Sequence, residues 1–292
     1  VLVAVGHSAT NQGQFYRSTN GGVTWTLAYS ATSFSYVTHA FWSMTSVSGT
    51  TVIAVGDNGT NGVVYRSTDG GVNWSLVYTA AAASTLRSVI ATSTTTIVAV
   101  GYNTATGYGV VHRSTDAGAT WTLDYTDTVV SRLVSVVAVS STILIATGTN
   151  ASGQGIVYRS TDTGVAWTLV YTAKVYLPVT ITLTSICAIS STVVVAVGQD
   201  TVTLTGVVYR STDGGVTWAG VVNAAVLTFN SVAKLAPSAL IAAGSSKSAG
   251  QGVVYLSTDS GVTWTLAYTV PSTKTPPNMQ ATVLQSVTVV NS

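Results

Sequence analysis

Apolar and polar positions in this 292-residue chain alternate in short bursts, and no segment keeps a helical period beyond a turn or two. Runs such as TIVAVG (96–101) and GVVYRS (62–67) are rich in β-branched and aromatic residues and are bounded by Gly, Ser, Thr or Asn. That is the pattern of short buried or half-buried strands. The bursts also repeat. GVVYRSTDGGVNWSLVYT (62–79) returns as GVVHRSTDAGATWTLDYT (109–126), GIVYRSTDTGVAWTLVYT (155–172), GVVYRSTDGGVTWAGVVN (206–223) and GVVYLSTDSGVTWTLAYT (252–269), with a first copy, QFYRSTNGGVTWTLAYS, at 14–30. A second block lies between them, as in LRSVIATSTTTIVAVG (86–101), LVSVVAVSSTILIATG (133–148) and LTSICAISSTVVVAVG (183–198). The tryptophans of the repeat are spaced 49, 47, 46, 51 and 46 residues apart.

A period of 40–50 residues holding four short strands predicts a propeller blade. The strands are A (as 86–92), B (as 96–100), C (as 110–114) and D (as 120–126). The expected fold is all-β, a single domain over 1–292 made of six four-stranded antiparallel blades. Residues 1–6 read as a strand B and 284–292 as a strand A, so the first blade takes strands B, C and D from 1–30 and strand A from the C-terminus. Pairing of 284–292 with 1–6 then closes the ring and removes an exposed sheet edge. The alternative is that the last strand completes a neighbouring molecule.

Composition narrows the function. Charged residues are 7% of the chain and the net charge is +2, too sparse for the dense phosphate contacts of a nucleic-acid binder. No apolar run approaches the ~18 residues of a membrane-spanning helix. The lone Cys187 forms no intramolecular disulfide. Glu is absent from the sequence.

The motif S-T-[DN]-x-G-x-x-W resembles the Asp-box, or BNR, repeat of sialidases, sortilin-type receptors, some xyloglucan-degrading enzymes and a photosystem II assembly factor. Its residues here are Asn20 and Trp25, Asp69 and Trp74, Asp116 and Trp121, Asp162 and Trp167, Asp213 and Trp218, and Asp259 and Trp264. Chemistry alone gives them a structural role. Ser and Asp bond to nearby backbone and tighten the turn, Gly allows positive φ, and Trp packs on the blade. Burying one Trp removes about 200 Å² from water, worth roughly 5 kcal/mol at most. A turn hydrogen bond nets about 1 kcal/mol. The resemblance further implies that these C–D turns lie on the face opposite the functional one, which carries the B–C and D–A loops.

Catalysis is not expected. The sialidase resemblance would call for an arginine cluster and a Tyr activated by a Glu, but no Glu exists. Five of the seven arginines (Arg17, Arg66, Arg113, Arg159, Arg210) share one position beside the Asp box, which leaves Arg87 and Arg132. Pairing of each repeated Arg with the Asp three residues on is the expected structural reading. A glycosidase needs two carboxylates ~5–10 Å apart. Asp57, Asp127 and Asp200 are near the far-face loops but on separate blades. No cofactor motif or metal-ligand cluster appears; the oxygen-rich loop 57–61 lacks the further carboxylates a tight Ca²⁺ site needs.

What remains points to binding or scaffolding. Phe34, Tyr36, Trp42, Tyr102, Tyr108 and Tyr176 are far-face aromatics suited to stacking on sugars. Ser43, Ser88, Ser135, Ser185, Ser231 and Ser286 recur in strand A, where small side chains allow close approach at the axis. Asn58 and Asn150 head N-x-S/T sequons in equivalent B–C loops, whereas Asn73, beside a box Trp, is a poor glycan acceptor. The expected function is a non-catalytic extracellular or cell-surface scaffold, structural or adhesive, whose partners are further copies of itself or surface glycans. Alternatives are a lectin-like propeller and a glycoside hydrolase with an unusual carboxylate set.

Overall fold

A computed structural model describes residues 1–7, 12–31, 40–173, 180–224, 227–246 and 251–270. Every regular element among them is a β-strand. The closing strand expected at 284–292 and the aromatics Phe34, Tyr36 and Tyr176 lie outside the described residues. The chain divides into two compact units, Val1–Thr142 with Thr161–Ala166, and Ile143–Ser160 with Trp167–Ser292.

In the first unit β1 (Leu2–His7), β2 (Gly13–Ser18) and β3 (Thr26–Ser30) form an antiparallel meander. A longer series follows: β4 (Ala40–Ser46), β5 (Val52–Asp57), β6 (Asn61–Ser67), β7 (Ser75–Ala91), β8 (Ile97–Asn103), β9 (Tyr108–Ser114) and β10 (Thr122–Ala138), each hydrogen-bonded to the next. The series is continuous because β7 and β10 are 17 residues long. Their first halves are strand D of one blade and their second halves carry the strand A sequence of the next, where separate strands and a loop were expected. The bridging residues stay extended because Ser84 Oγ and Ser131 Oγ accept the amides of Gly62 and Gly109 (3.2 and 3.1 Å).

In the second unit β11 (Leu144–Asn150), β12 (Gly155–Ser160) and β13 (Thr168–Thr172) pair in order. Two four-stranded meanders follow. One is β14 (Ile181–Ala188), β15 (Val194–Asp200), β16 (Gly206–Ser211) and β17 (Ala219–Ala224). The other is β18 (Leu227–Lys234), β19 (Leu240–Ser246), β20 (Gln251–Ser257) and β21 (Thr265–Thr269).

Strands B and C supply the cores, which reads directly from their apolar runs: Ile53, Ala54, Val55 and Val64, or Val195, Ala196, Val197 and Val208, are buried. The box tryptophans join successive repeats. Trp74 stacks on Phe15 of the preceding repeat at 4.1 Å. Trp121 lies in a cluster with Ile53, Val55 and Ile97. Trp74, Trp121 and Trp167 are 6–7% exposed. Trp25 departs from the expected burial and is 42% exposed. It sits in the first repeat, and no described residue stacks on it as Phe15 does on Trp74.

The repeated turn has the expected geometry. Ser67 Oγ donates to Asp69 Oδ1 (2.8 Å) and accepts the Gly71 amide (2.9 Å). Asp69 Oδ1 accepts the Val72 and Asn73 amides, and Trp74 Nε1 donates to the Gly71 carbonyl. Asn20 reproduces the arrangement without a charge, accepting from Ser18 Oγ and the Thr24 amide. Hydrogen bonds from the Asn73 amide and side chain lower Asp69 to about 2, and those from Thr120 and Thr263 do the same for Asp116 and Asp259.

The expected pairing of each repeated arginine with the Asp three residues on is replaced by a contact to backbone. Arg17, Arg66, Arg159 and Arg210 each donate Nε to a backbone carbonyl in the turn of the following repeat: Gly70, Ala117, Gly214 and Ser260, at 2.9–3.0 Å. This explains why Arg17 coexists with Asn20. Arg113 differs. Asp124 draws its guanidinium to 3.7 Å, and its buried Nε has no partner among the described residues.

Candidate binding face

The far-face end of strand A is shaped by a β-bulge. In the β4–β5 pair the register runs from Phe41↔Gly56 to Ser43↔Val55, so Trp42 is the extra residue. In β7–β8 it runs from Leu86↔Gly101 to Ser88↔Val100, making Arg87 the extra residue. Thr184 and Asn230 hold the same place in β14 and β18. A bulge leaves one residue out of the ladder and re-aims its side chain. Glycine opposite is required by space: a Cβ on Gly56 would stand 1.9 Å from the Ala40 carbonyl oxygen, and one on Gly101 1.9 Å from that of Thr85. The recurring Ser follows the bulge. Ser43 Oγ accepts the Val89 amide, Ser88 Oγ that of Val136 and Ser185 Oγ that of Val232, at 3.2–3.3 Å. These serines therefore cap amides of the next inner strand, a role beyond the close packing expected from their size.

The bulges bring two predicted residues together in the first unit. Trp42 is 45% exposed. The Arg87 guanidinium lies over its ring, 3.9 Å from the centroid. Its indole Nε1 donates to Asp57 Oδ2 at 2.8 Å, and Thr85 Oγ1 donates to the same oxygen at 2.8 Å. The Gly59 amide holds the other oxygen. One repeat further on, Tyr102 stands in the place of Asp57 and Arg132 in that of Thr85. The Arg132 guanidinium lies 5.6 Å from the Tyr102 ring centroid, within cation–π reach. Tyr108 begins β9, half-buried and in register with Val130. No described residue accepts a hydrogen bond from Arg87 or Arg132, unlike the arginines of the turns. The bulge is the signal that sequence reasoning missed; its trace is the Gly ending strand B with a Ser in strand A.

The candidate carboxylates are otherwise engaged. Asp57 orients Trp42 and Thr85. Asp127 is buried, accepting Ser131 Oγ (2.7 Å) and the Thr128 amide (2.7 Å). Asp200, in the second unit, accepts the Val202 and Thr203 amides. No cluster of three or more His, Cys, Asp or Glu that suits a metal occurs among the described residues. In loop 57–61 the Asn58 Oδ1 accepts the Thr60 and Asn61 amides, an Asx turn with its oxygens directed at backbone. Of the sequon asparagines, Asn150 Nδ2 donates to Gln154 and Asn73 Nδ2 to Asp69, whereas Asn58 Nδ2 has no partner among the described residues. His112 replaces the repeat's Tyr. It is buried against Tyr78, whose hydroxyl is 3.1 Å from Nδ1. Burial lowers its pKa to about 4, against the pull of Asp124.

Four-stranded antiparallel meanders, repeated around similar cores and joined by one turn, define a β-propeller domain. The chain belongs to the family described as the DUF6242 beta propeller domain, whose model matches residues 43–234. No curated protein sequence matches it. Among solved structures it is similar to YCF48 bound to D1 peptide (14% identity, TM-score 0.61, 90% of this chain and 79% of that one). It is also similar to the GH74 xyloglucanase of Xanthomonas campestris (14%, 0.62, 90% of this chain and 44% of that one). A third likeness is to the Hadza microbial sialidase Hz136 (16%, 0.55, 80% and 57%). At such identities the likeness is one of fold. No described helix is long and apolar enough to cross a membrane.

Proposed function

We propose that this chain is a non-catalytic adhesive scaffold of the extracellular space or cell surface. In this reading it is a six-bladed Asp-box ring, closed by 284–292 against 1–6, that holds a glycan on its far face. The observation that carries the reading is the Trp42–Arg87 stack on consecutive bulges. It presents a half-exposed indole, fixed by Asp57, beside guanidinium donors that no described residue accepts from. Aromatic surface with fixed polar donors suits a sugar ring. Hydrolysis is not part of the proposal, since Asp57, Asp127 and Asp200 each accept hydrogen bonds that serve the fold. Self-assembly is supported by a separate feature: Leu27, Leu76, Leu123, Leu169 and Leu266 stand about half-exposed at one position of the outer strands. Low charge leaves little repulsion between copies.

A glycan array probed with the protein and with Trp42→Ala tests the binding reading. The expected result is a defined set of hits that Trp42→Ala loses while melting at the wild-type temperature. An array without hits, or hits indifferent to Trp42, overturns it.

A further inference from the structure

Resting on the glycan-binding reading, we propose that the ligand of this face is an acidic polysaccharide, one carrying carboxylates on successive sugars, held by Arg87 and Arg132. The arginines of the chain fall into two chemical groups. Arg17, Arg66, Arg159 and Arg210 give Nε to backbone carbonyls, and Arg113 faces Asp124. Arg87 and Arg132 instead lie over Trp42 and Tyr102, and no described residue accepts a hydrogen bond from them. A guanidinium that meets a ring through its π-face contact spends none of its N–H donors on it, and those donors suit bidentate carboxylate recognition.

Their placement indicates more than one anionic group. The Val136 amide bonds to Ser88 Oγ, which sets the level of β10 against the inner half of β7. Arg132 then stands two to three residues further along than Arg87, a separation of roughly 7–10 Å along neighbouring strands. Two cationic side chains rooted at separate points of the face suit a polymer with a repeated charge. Of the carboxylates on this face, Asp57 is occupied by Trp42, Thr85 and Gly59. Asp127 is buried and bonded to Ser131.

A sugar chain suits the face better than an acidic peptide. An extended peptide gains its affinity by adding a strand to open backbone groups. On these inner strands the Val89 and Val136 amides are already capped by Ser43 and Ser88. What remains exposed is ring surface and guanidinium.

The test is calorimetric titration of the whole chain with a galacturonic-acid oligosaccharide, its neutral galactose counterpart of equal length, and an Asp/Glu-rich peptide. Wild type is compared with Arg87→Gln and Arg132→Gln, each checked by thermal melting. The proposal expects the acidic sugar to bind at least about tenfold more tightly than the neutral one, and each substitution to remove about tenfold of that. Raising salt should weaken the acidic sugar alone. Neutral and acidic sugars binding equally, with the arginine variants unchanged, would overturn the acidic inference and leave the glycan reading standing. Absence of binding by either sugar overturns both. Tighter binding of the acidic peptide than of the acidic sugar also overturns the inference.

Discussion

Replacing His112 by tyrosine, the residue that other repeats carry as Tyr65, Tyr158 and Tyr209, should remove an acid sensitivity from the fold. The imidazole is buried beside Tyr78, and burial lowers its pKa from 6.5 to about 4. In the unfolded chain it regains the ordinary value. Between these two pH values the unfolded state binds the extra proton, so stability falls as pH drops. The contribution is fully present above pH 6.5, is lost as pH falls toward 4, and changes no further below that. Each tenfold difference in proton affinity is about 1.4 kcal/mol, so the complete loss is roughly 3 kcal/mol and that at pH 5 about 2 kcal/mol. Urea melts of wild type and His112→Tyr at several pH values from 7.5 to 4 isolate this from the carboxylates, which both proteins share. The expected result is a stability difference that grows by about 2 kcal/mol in favour of the variant between pH 7.5 and 5. A difference that stays flat across that range refutes the assignment of a proton-excluding site.

Other perturbations follow from the seams and the bulges. Asp124→Val frees Arg113 to reach the turn of the next repeat as its counterparts do; one added backbone bond should raise stability by about 1 kcal/mol, read as a higher urea midpoint. Trp74→Ala should cost about 3–5 kcal/mol in chemical melts, and Trp25→Ala less, because Trp25 is 42% exposed and Trp74 6%. Gly101→Ala places a Cβ against the Thr85 carbonyl and should cost about 3 kcal/mol or more, or prevent folding, by the same measure.

Much of the architecture was legible before any coordinates. The 46–51-residue spacing of tryptophans and the AVG and VVYRSTD runs mark each strand and turn, because a repeated unit must bury the same face each time. Other features were not legible, and for a common reason. The Arg17 and Arg66 contacts are made to backbone carbonyls of the following repeat, and a carbonyl leaves no mark in a sequence. Arg113 and Asp124 are eleven residues apart and meet only because their strands pair. At the candidate site, Trp42 was legible as an exposed aromatic, but its partnership with Arg87 was not. A bulge moves a side chain out of the two-residue alternation by which strands are read, so alternation cannot assign it a direction.

The bulge also separates two demands that usually conflict in a small protein. Residues on either side of it, the glycine of strand B and the serine of strand A, recur from repeat to repeat, while the residue it extrudes is Trp42, Arg87, Thr184 or Asn230. Trp42 and Arg87 stack on each other there, whereas Thr184 Oγ1 donates back to the Val197 and Phe229 carbonyls. Such a position is a socket with two uses. A chain that duplicates this unit acquires a row of them, some turned outward to offer chemistry, as Trp42 and Arg87 are, and some turned back to tie neighbouring strands together, as Thr184 is.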